Sequence, residues 1–251
     1  MNTNAMMNIG DEAARRRLIL ALGRGKSGKT LWSRWLVEIM RARGMSPVAA
    51  DADWSTPGLS RHDEDAVRLG SEPQADRSWW KTVLANGEEL AGRPVVVDFS
   101  LDAGLVRKVD PEGTNFAERY APRGFDVTKV FFFAPDVGDV ATFINIGAAV
   151  TAASTLLVLN EGAIGSRRSD RFDAVLAHPA VREAIGKGAS VVRMPELRVD
   201  QERVSEIVNF TAFAEEGGEA KPVSFDRHAV RTWLGRMEEA FAPFGAELAL
   251  G

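Results

Sequence analysis

The segment that most restricts the fold runs from Leu18 to Met40, "LILALGRGKSGKTLWSRWLVEIM". It opens as a short uninterrupted apolar run, which is how a strand buried on both faces reads. Further on, apolar side chains return at Trp32, Trp35, Leu36, Ile39 and Met40, the spacing of one helical face. Between the two lies Gly23-x-x-x-x-Gly28-Lys29-Thr30, the pattern of a phosphate-binding loop. Such a loop must converge several backbone N–H groups on anionic oxygens. That demands glycine where a Cβ would intrude, and a helix N-terminus whose dipole favours negative charge. Gly44 then stops the helix and "PVAADAD" follows as a second strand. Strand, glycine loop, helix and strand make a βαβ unit, and the right-handed crossover sets its two strands parallel.

The same alternation continues more loosely. Ser78 to Leu90 reads as a helix, "RPVVVDFS" as a buried strand ending at Asp98, and "VTKVFFFAP" as another strand. Val140 to Thr151 reads as a helix, "STLLVLNEG" as a strand ending at Asn160, "ASVVRMPEL" as a further strand, and Asp226 to Phe241 as a terminal amphipathic helix. Continuous apolar strands alternating with helices predict an α/β fold: a mostly parallel central sheet with helices on both faces, of the P-loop NTPase kind. In such sheets ligands gather at the carboxyl ends of the strands, where Gly23, Asp53, Asp98 and Asn160 fall. Residues 1–14 are polar and without periodicity, and are expected to be a disordered N-terminus; 15–251 are expected to form a single domain. The polar stretches Ser55–Arg77 and Lys108–Asp126 read as surface excursions.

Composition narrows the chemistry. The chain of 251 residues is 45% hydrophobic and 26% charged with net charge −4, the balance of a globular domain. With no cysteine there is no disulfide framework, thiolate nucleophile or cysteine zinc site. His62, His178 and His228 lie far apart and lack metal-ligand spacing. No apolar run is long enough for a membrane span or a signal peptide, so a cytoplasmic protein is expected.

The loop itself, Gly23, Arg24, Gly25, Lys26, Ser27, Gly28, Lys29 and Thr30, is the expected nucleotide cradle. Lys29 would reach the β- and γ-phosphates and the Thr30 hydroxyl would ligate Mg²⁺. Mg²⁺ takes hard oxygen ligands, and Asp98, ending the most apolar strand, is the expected Walker B carboxylate. Asp51 and Asp53 alternate along an extended strand and so point the same way; Asp53 is assigned to the attacking water or the metal, with Asp51 in support. Arg24 and Lys26 are either solvated or directed at a charge elsewhere, such as nucleotide on a partner subunit. Asn160 is either a turn residue or a base contact. GTP-binding P-loop proteins carry an Asp three residues beyond such an Asn; Ala163 stands there in this chain, which favours ATP. Trp32 and Trp35 read as core. Adjacent Trp79 and Trp80 cannot share one helix face, so one of them is expected to be exposed.

Taken together, "LGRGKSGKT", "AADADWSTPGLS", "VVVDFS" and "LVLNEG" resemble the corresponding motifs of the ParA/MinD-like P-loop ATPases, over about Leu18 to Leu197. In that family the loop reads KGGxGK[ST], and a signature lysine after the first glycine crosses a dimer interface to the partner's ATP. Arg24 stands at that place and Lys26 where a glycine is expected. Trp54 replaces the small residue common after the family's Asp-x-Asp, and Asp98-Phe99-Ser100-Leu101-Asp102 departs from its DxPxG switch. The resemblance implies an adenine pocket near Arg193 to Glu196, with Met194 and Pro195 at the base. It also implies ATP and Mg²⁺ as cofactors and an ATP-dependent homodimer.

The expected activity is that of a slow MgATPase acting as a dimerisation switch in plasmid or DNA partition, mobilisation or cargo positioning. Lys29, Arg24 and Asp53 are the catalytic residues, and Thr30, Asp53 and Asp98 the metal ligands. DNA and plasmid, conjugation or division proteins are the candidate partners. Two arginine groups, Arg167, Arg168 and Arg171, and Arg227, Arg231 and Arg236, are interspersed with acids and read as a mixed solvated surface. The alternatives are a small-molecule phosphotransferase or ATP-dependent ligase, with Asp102 or the 108–126 excursion supplying a base, or a nucleotide-binding scaffold without turnover.

Overall fold

The computed structural model describes residues 15–53, 57–71, 75–89, 93–99, 116–147, 150–164, 172–215 and 224–250. Residues 1–14, Trp54, Asp102 and Arg167, Arg168 and Arg171 lie outside these. Seven strands form one sheet: β1 (Arg16–Gly23), β2 (Val48–Asp51), β3 (Val67–Arg68), β4 (Val95–Asp98), β5 (Phe125–Phe133), β6 (Ser154–Asn160) and β7 (Ser190–Met194). Their order is β3-β2-β4-β1-β5-β6-β7 and every pairing is parallel. The α/β architecture is therefore as the alternation of apolar runs and helical faces predicts.

Burial on both faces explains the uninterrupted strands. Leu18, Leu20 and Leu22 of β1 pack into one core and Ile19 and Ala21 into the other, alternating as a strand must. The second core holds α1 (Lys29–Ala42), whose Trp32, Trp35, Leu36 and Met40 are almost fully buried. It also takes in α8 (Phe210–Glu215) and α9 (Phe225–Phe241), reached from β7 by α7 (Gln201–Glu206). On the opposite face lie α2 (Ala75–Glu89), α3 (Phe116–Tyr120), α4 (Gly138–Gly147), α5 (Asp173–Ala177) and α6 (Pro179–Gly186).

Three expectations are corrected here. Trp79 and Trp80 are both buried, each 4% exposed. Neighbouring positions on a helix point about a quarter-turn apart, and α2 is roofed on both sides. Trp79 donates through Nε1 to the Val67 carbonyl at 2.8 Å, and Trp80 to the Tyr120 hydroxyl at 2.7 Å. The stretch Ser55–Arg77 contains β3, which pairs with β2 at Ala50 and Asp51, and buried Leu59 and Leu69. Lys108–Asp126 is likewise more than a surface excursion, because Phe116 and Tyr120 stack around Trp80 and are buried with it.

Candidate nucleotide-binding site

β1, the central strand, ends at Gly23, and the chain turns through the glycine loop into α1. Gly23 (φ +140°) and Gly28 (φ +96°) occupy backbone conformations that side chains rarely adopt. Space forbids a side chain as well: a Cβ on Gly23 would stand 2.7 Å from the Phe132 carbonyl oxygen, and one on Gly28 2.3 Å from Asn160 Nδ2. Lys26, where the resembling family has glycine, is held at φ +62°, so this loop keeps the left-handed turn despite its side chain. Helix α1 starts directly after Gly28 with no side-chain cap and no acid in its first turn. Its first amides and the positive end of its dipole therefore face outward beside the loop.

The polar side chains converge there. Asp51 and Asp98 are in register at the ends of adjacent strands, both buried. Thr30 Oγ1 donates to Asp98 Oδ2 at 2.6 Å, joining the first turn of α1 to the end of β4. Asp51 accepts from the Asp53 amide at 3.0 Å and from both the amide and the hydroxyl of Ser60 at 2.8 and 3.0 Å. Asp51 is thus consumed in holding the following loop, while Asp53 stays half-buried with its charge felt by both Lys29 and Asp98. Lys29 is buried and its Nζ donates back to the Arg24 carbonyl at 2.8 Å, across the mouth of the loop. Burial holds its ammonium below the ordinary lysine range, partly offset by Asp98, Asp53 and Asp139. Burial likewise pushes the Asp98 carboxyl up to about 7, against the pull of Lys29 and the Thr30 hydrogen bond. Thr30 Oγ1 and the buried Asp98 carboxylate, with the half-buried Asp53 near enough for its charge to act on Asp98, are hard-oxygen donors of the kind that magnesium takes.

Arg24 and Asn160 are engaged within the chain. The Arg24 guanidinium pairs with Asp136 Oδ2 at 2.8 Å and Asp139 Oδ1 at 3.1 Å, at the start of α4. Asp139 is buried, and its other oxygen accepts from the Ala134 amide at 2.7 Å. Arg24 is thus partly exposed, with its charge shared between these two carboxylates. Asn160 donates through Nδ2 to the Ser27 carbonyl at 2.8 Å and accepts from the Gly162 amide at 2.9 Å. It ties the end of β6 to the phosphate loop.

A cavity of about 520 Å³ opens over the loop, a size that suits a small-molecule ligand. Lys26, Gly28, Lys29, Thr30 and Leu31 line one end; Asn160, Gly162, Ala163, Pro195 and Leu197 are among those lining the other. Pro195, expected at the base, is one of the residues lining this cavity. Met194 is not: its side chain is fully buried in the core behind the cavity, because alternation along β7 turns it inward. Ser60, Asp136 and Asp139 were missed in the sequence; the Asp136-x-x-Asp139 spacing at a strand end was the available signal. A second hollow of about 470 Å³ lies beyond α1 and includes Arg34, Glu38 and His62 in its wall. Glu38 spends both oxygens on the amides of Phe210 and Thr211.

Of the terminal-helix arginines, Arg231 donates to the Ala214 carbonyl at 2.6 Å, Arg236 faces Glu161 at 3.9 Å and Arg227 lies over Phe213. Among the described residues no helix is long and apolar enough to cross a membrane.

No protein-family profile matches the chain, and no curated protein matches it. Among solved structures it is similar to the signal recognition particle receptor FtsY from Elizabethkingia anophelis, at TM-score 0.49 and 12% identity over 90% of this chain and 67% of that one. It is similar to chloroplast FtsY from Physcomitrella patens, at 0.47 and 14% over 92% and 68%. The MinD cell division protein of Aquifex aeolicus is a third, at 0.42 and 12% over 88% and 97%.

Proposed function

We propose that the chain binds MgATP at residues 23–30 and hydrolyses it slowly, as a ParA/MinD-like ATPase whose nucleotide state controls assembly into a homodimer. The observation that carries this reading is the 2.6 Å contact between Thr30 Oγ1 and Asp98 beside an uncapped helix start and a glycine loop. Polyphosphate oxygens would take the loop amides, and Lys29 would exchange its bond to the Arg24 carbonyl for one to the β- and γ-phosphates. Thr30, Asp98 and Asp53 would hold magnesium, which supplies charge neutralisation at the phosphates. Asp53 also orients the attacking water. Few groups among the described residues stand ready to activate that water, so turnover is slow. Ala163 leaves a guanine ring without the carboxylate that would accept its two N–H donors, which favours ATP. Arg24 becomes a cation for the partner's nucleotide when it leaves Asp136 and Asp139. DNA, a plasmid or another cargo is what such a switch would position.

The test is calorimetric titration of MgATP into the parent and Lys29→Ala, with mass measured in apo, ADP and nonhydrolysable-ATP conditions. The parent is expected to bind and to dimerise only with the triphosphate. Lys29→Ala is expected to keep its thermal melt and lose binding, because the side chain serves ligand rather than core. A variant that binds MgATP like the parent would overturn the assignment.

A further inference from the structure

We infer that Gln201 is the residue that reads the nucleotide base, making the site selective for adenine; this rests on the proposal that the loop binds a nucleoside triphosphate. Away from the phosphate loop, the cavity wall is mostly aliphatic, from Pro195, Leu197, Val199 and Val204. That is a slot for a flat ring with little polar chemistry in it. Two side-chain amides reach the cavity, those of Asn160 and Gln201. Asn160 is spent on the Ser27 carbonyl and the Gly162 amide. Gln201 is exposed, and among the described residues its amide has no hydrogen-bond partner.

The position of Gln201 is fixed from behind. It is the first residue of α7, and Val204 lies three positions on, so both face the same way and both line the cavity. The far end of α7 is clamped to α1 by Arg34, whose guanidinium donates to the Val204 carbonyl at 3.3 Å and to the Ile207 carbonyl. The same guanidinium stacks 4.4 Å from the Phe210 ring centre. Arg34 sits one helical turn beyond Thr30 on the helix that carries the phosphate loop. Arg34 therefore ties the base wall to the helix that carries the phosphate cradle.

The selectivity follows from donor and acceptor pattern. A primary amide offers one acceptor and two donors, and it matches adenine, which presents an amino donor next to a ring-nitrogen acceptor. Guanine presents two adjacent donors, N1–H and its amino group, which call for a carboxylate, and at O6 and N1–H it presents acceptor and donor in the reverse of adenine's order. No carboxylate lines the cavity among the described residues. Of the acids beside lining residues in sequence, Glu161 is held by Arg193 and Arg236 and Glu196 by Arg198, while Asp200 and Glu202, on either side of Gln201, are not among the residues that line the cavity.

The experiment titrates ATP, GTP and inorganic tripolyphosphate, each with Mg²⁺, into the full chain and into Gln201→Ala and Gln201→Glu. The parent is expected to prefer ATP over GTP by about tenfold or more, the discrimination of one good amide–base pair. Gln201→Ala should weaken ATP by about tenfold and leave tripolyphosphate unchanged. Gln201→Glu, which turns the amide into a pure acceptor, should reverse the preference towards GTP. The inference is overturned if the parent does not favour ATP, if Gln201→Ala leaves ATP affinity intact or weakens tripolyphosphate equally, or if Gln201→Glu moves both nucleotides together. In those cases the loop reading stands so long as tripolyphosphate binds. A parent that binds none of the three removes the loop reading, and the role of Gln201 with it.

Discussion

Replacing Asn160 separates two roles that one side chain can play beside a phosphate loop. Its amide makes two internal hydrogen bonds, to the Ser27 carbonyl at 2.8 Å and from the Gly162 amide at 2.9 Å, in a residue 6% exposed. Each such bond contributes about 1 kcal/mol net, and each partner left buried without water costs about 1–3 kcal/mol. Asn160→Ala should therefore destabilise the apo protein by about 2–4 kcal/mol, allowing for water reaching one partner. Asn160→Asp keeps the Gly162 bond but sets a carboxylate oxygen against the Ser27 carbonyl, and adds negative charge beside the phosphates. If the asparagine braces the loop, both variants should weaken tripolyphosphate and ATP by the same factor, about tenfold or more, which is one bond's worth of loop order. Urea unfolding measures the first quantity and calorimetric titration the second. A variant that unfolds at the parent's urea midpoint, or one that loses ATP while keeping tripolyphosphate, would refute the brace and return Asn160 to contact with the base.

Three further outcomes are expected. Arg24→Ala should leave nucleotide affinity within about threefold, since its charge is partly exposed and already shared with Asp136 and Asp139, yet abolish triphosphate-dependent dimerisation in light scattering. A dimer that persists would remove Arg24 from the interface. His62 is held down to about 4, first by burial and then by the charges of Arg34 and Arg61. Its folded value lies below the unfolded value of about 6.5, so the unfolded chain binds the extra proton between them. That contribution to stability is present above about pH 6.5 and is lost as the pH falls towards 4. His62→Gln should flatten this part of the stability curve relative to the parent, and superimposable curves would contradict the assignment. Trp80→Phe removes the buried bond to the Tyr120 hydroxyl and part of a ring, and should cost about 1.5–3 kcal/mol in urea unfolding; an unchanged midpoint would show that α3 does not support α2.

What the sequence disclosed was local. A glycine loop between an apolar run and a helical face places Lys29 and Thr30 by covalent connection alone, and the strand ends at Asp51, Asp98 and Asn160 follow from where apolar runs stop. The partners those residues acquire are set by distant chain. Arg24 meets Asp136 across 112 positions and Asn160 meets Ser27 across 133, separations at which no periodicity gives warning. The error over Trp79 and Trp80 has the same origin: helical geometry turns the rings apart, but β3 and α3 supply a separate cover for each. A strand of two residues such as Val67–Arg68 carries no alternation to detect. Met194, expected at the base, lies in the core instead, since alternation turns the last side chain of β7 inward and the loop after the strand borders the cavity.

The phosphate loop grows from the fourth strand of seven, with three neighbours on either side. Loss of pairing in a parallel sheet begins at its margins, which here are the two-residue β3 and the partly exposed β7. Either margin can open and close while β1 keeps its hydrogen bonds to β4 and β5. The amides of β1 should accordingly be among the last in the molecule to exchange with deuterium, and whatever the loop grips is anchored to the part of the protein that breathes least.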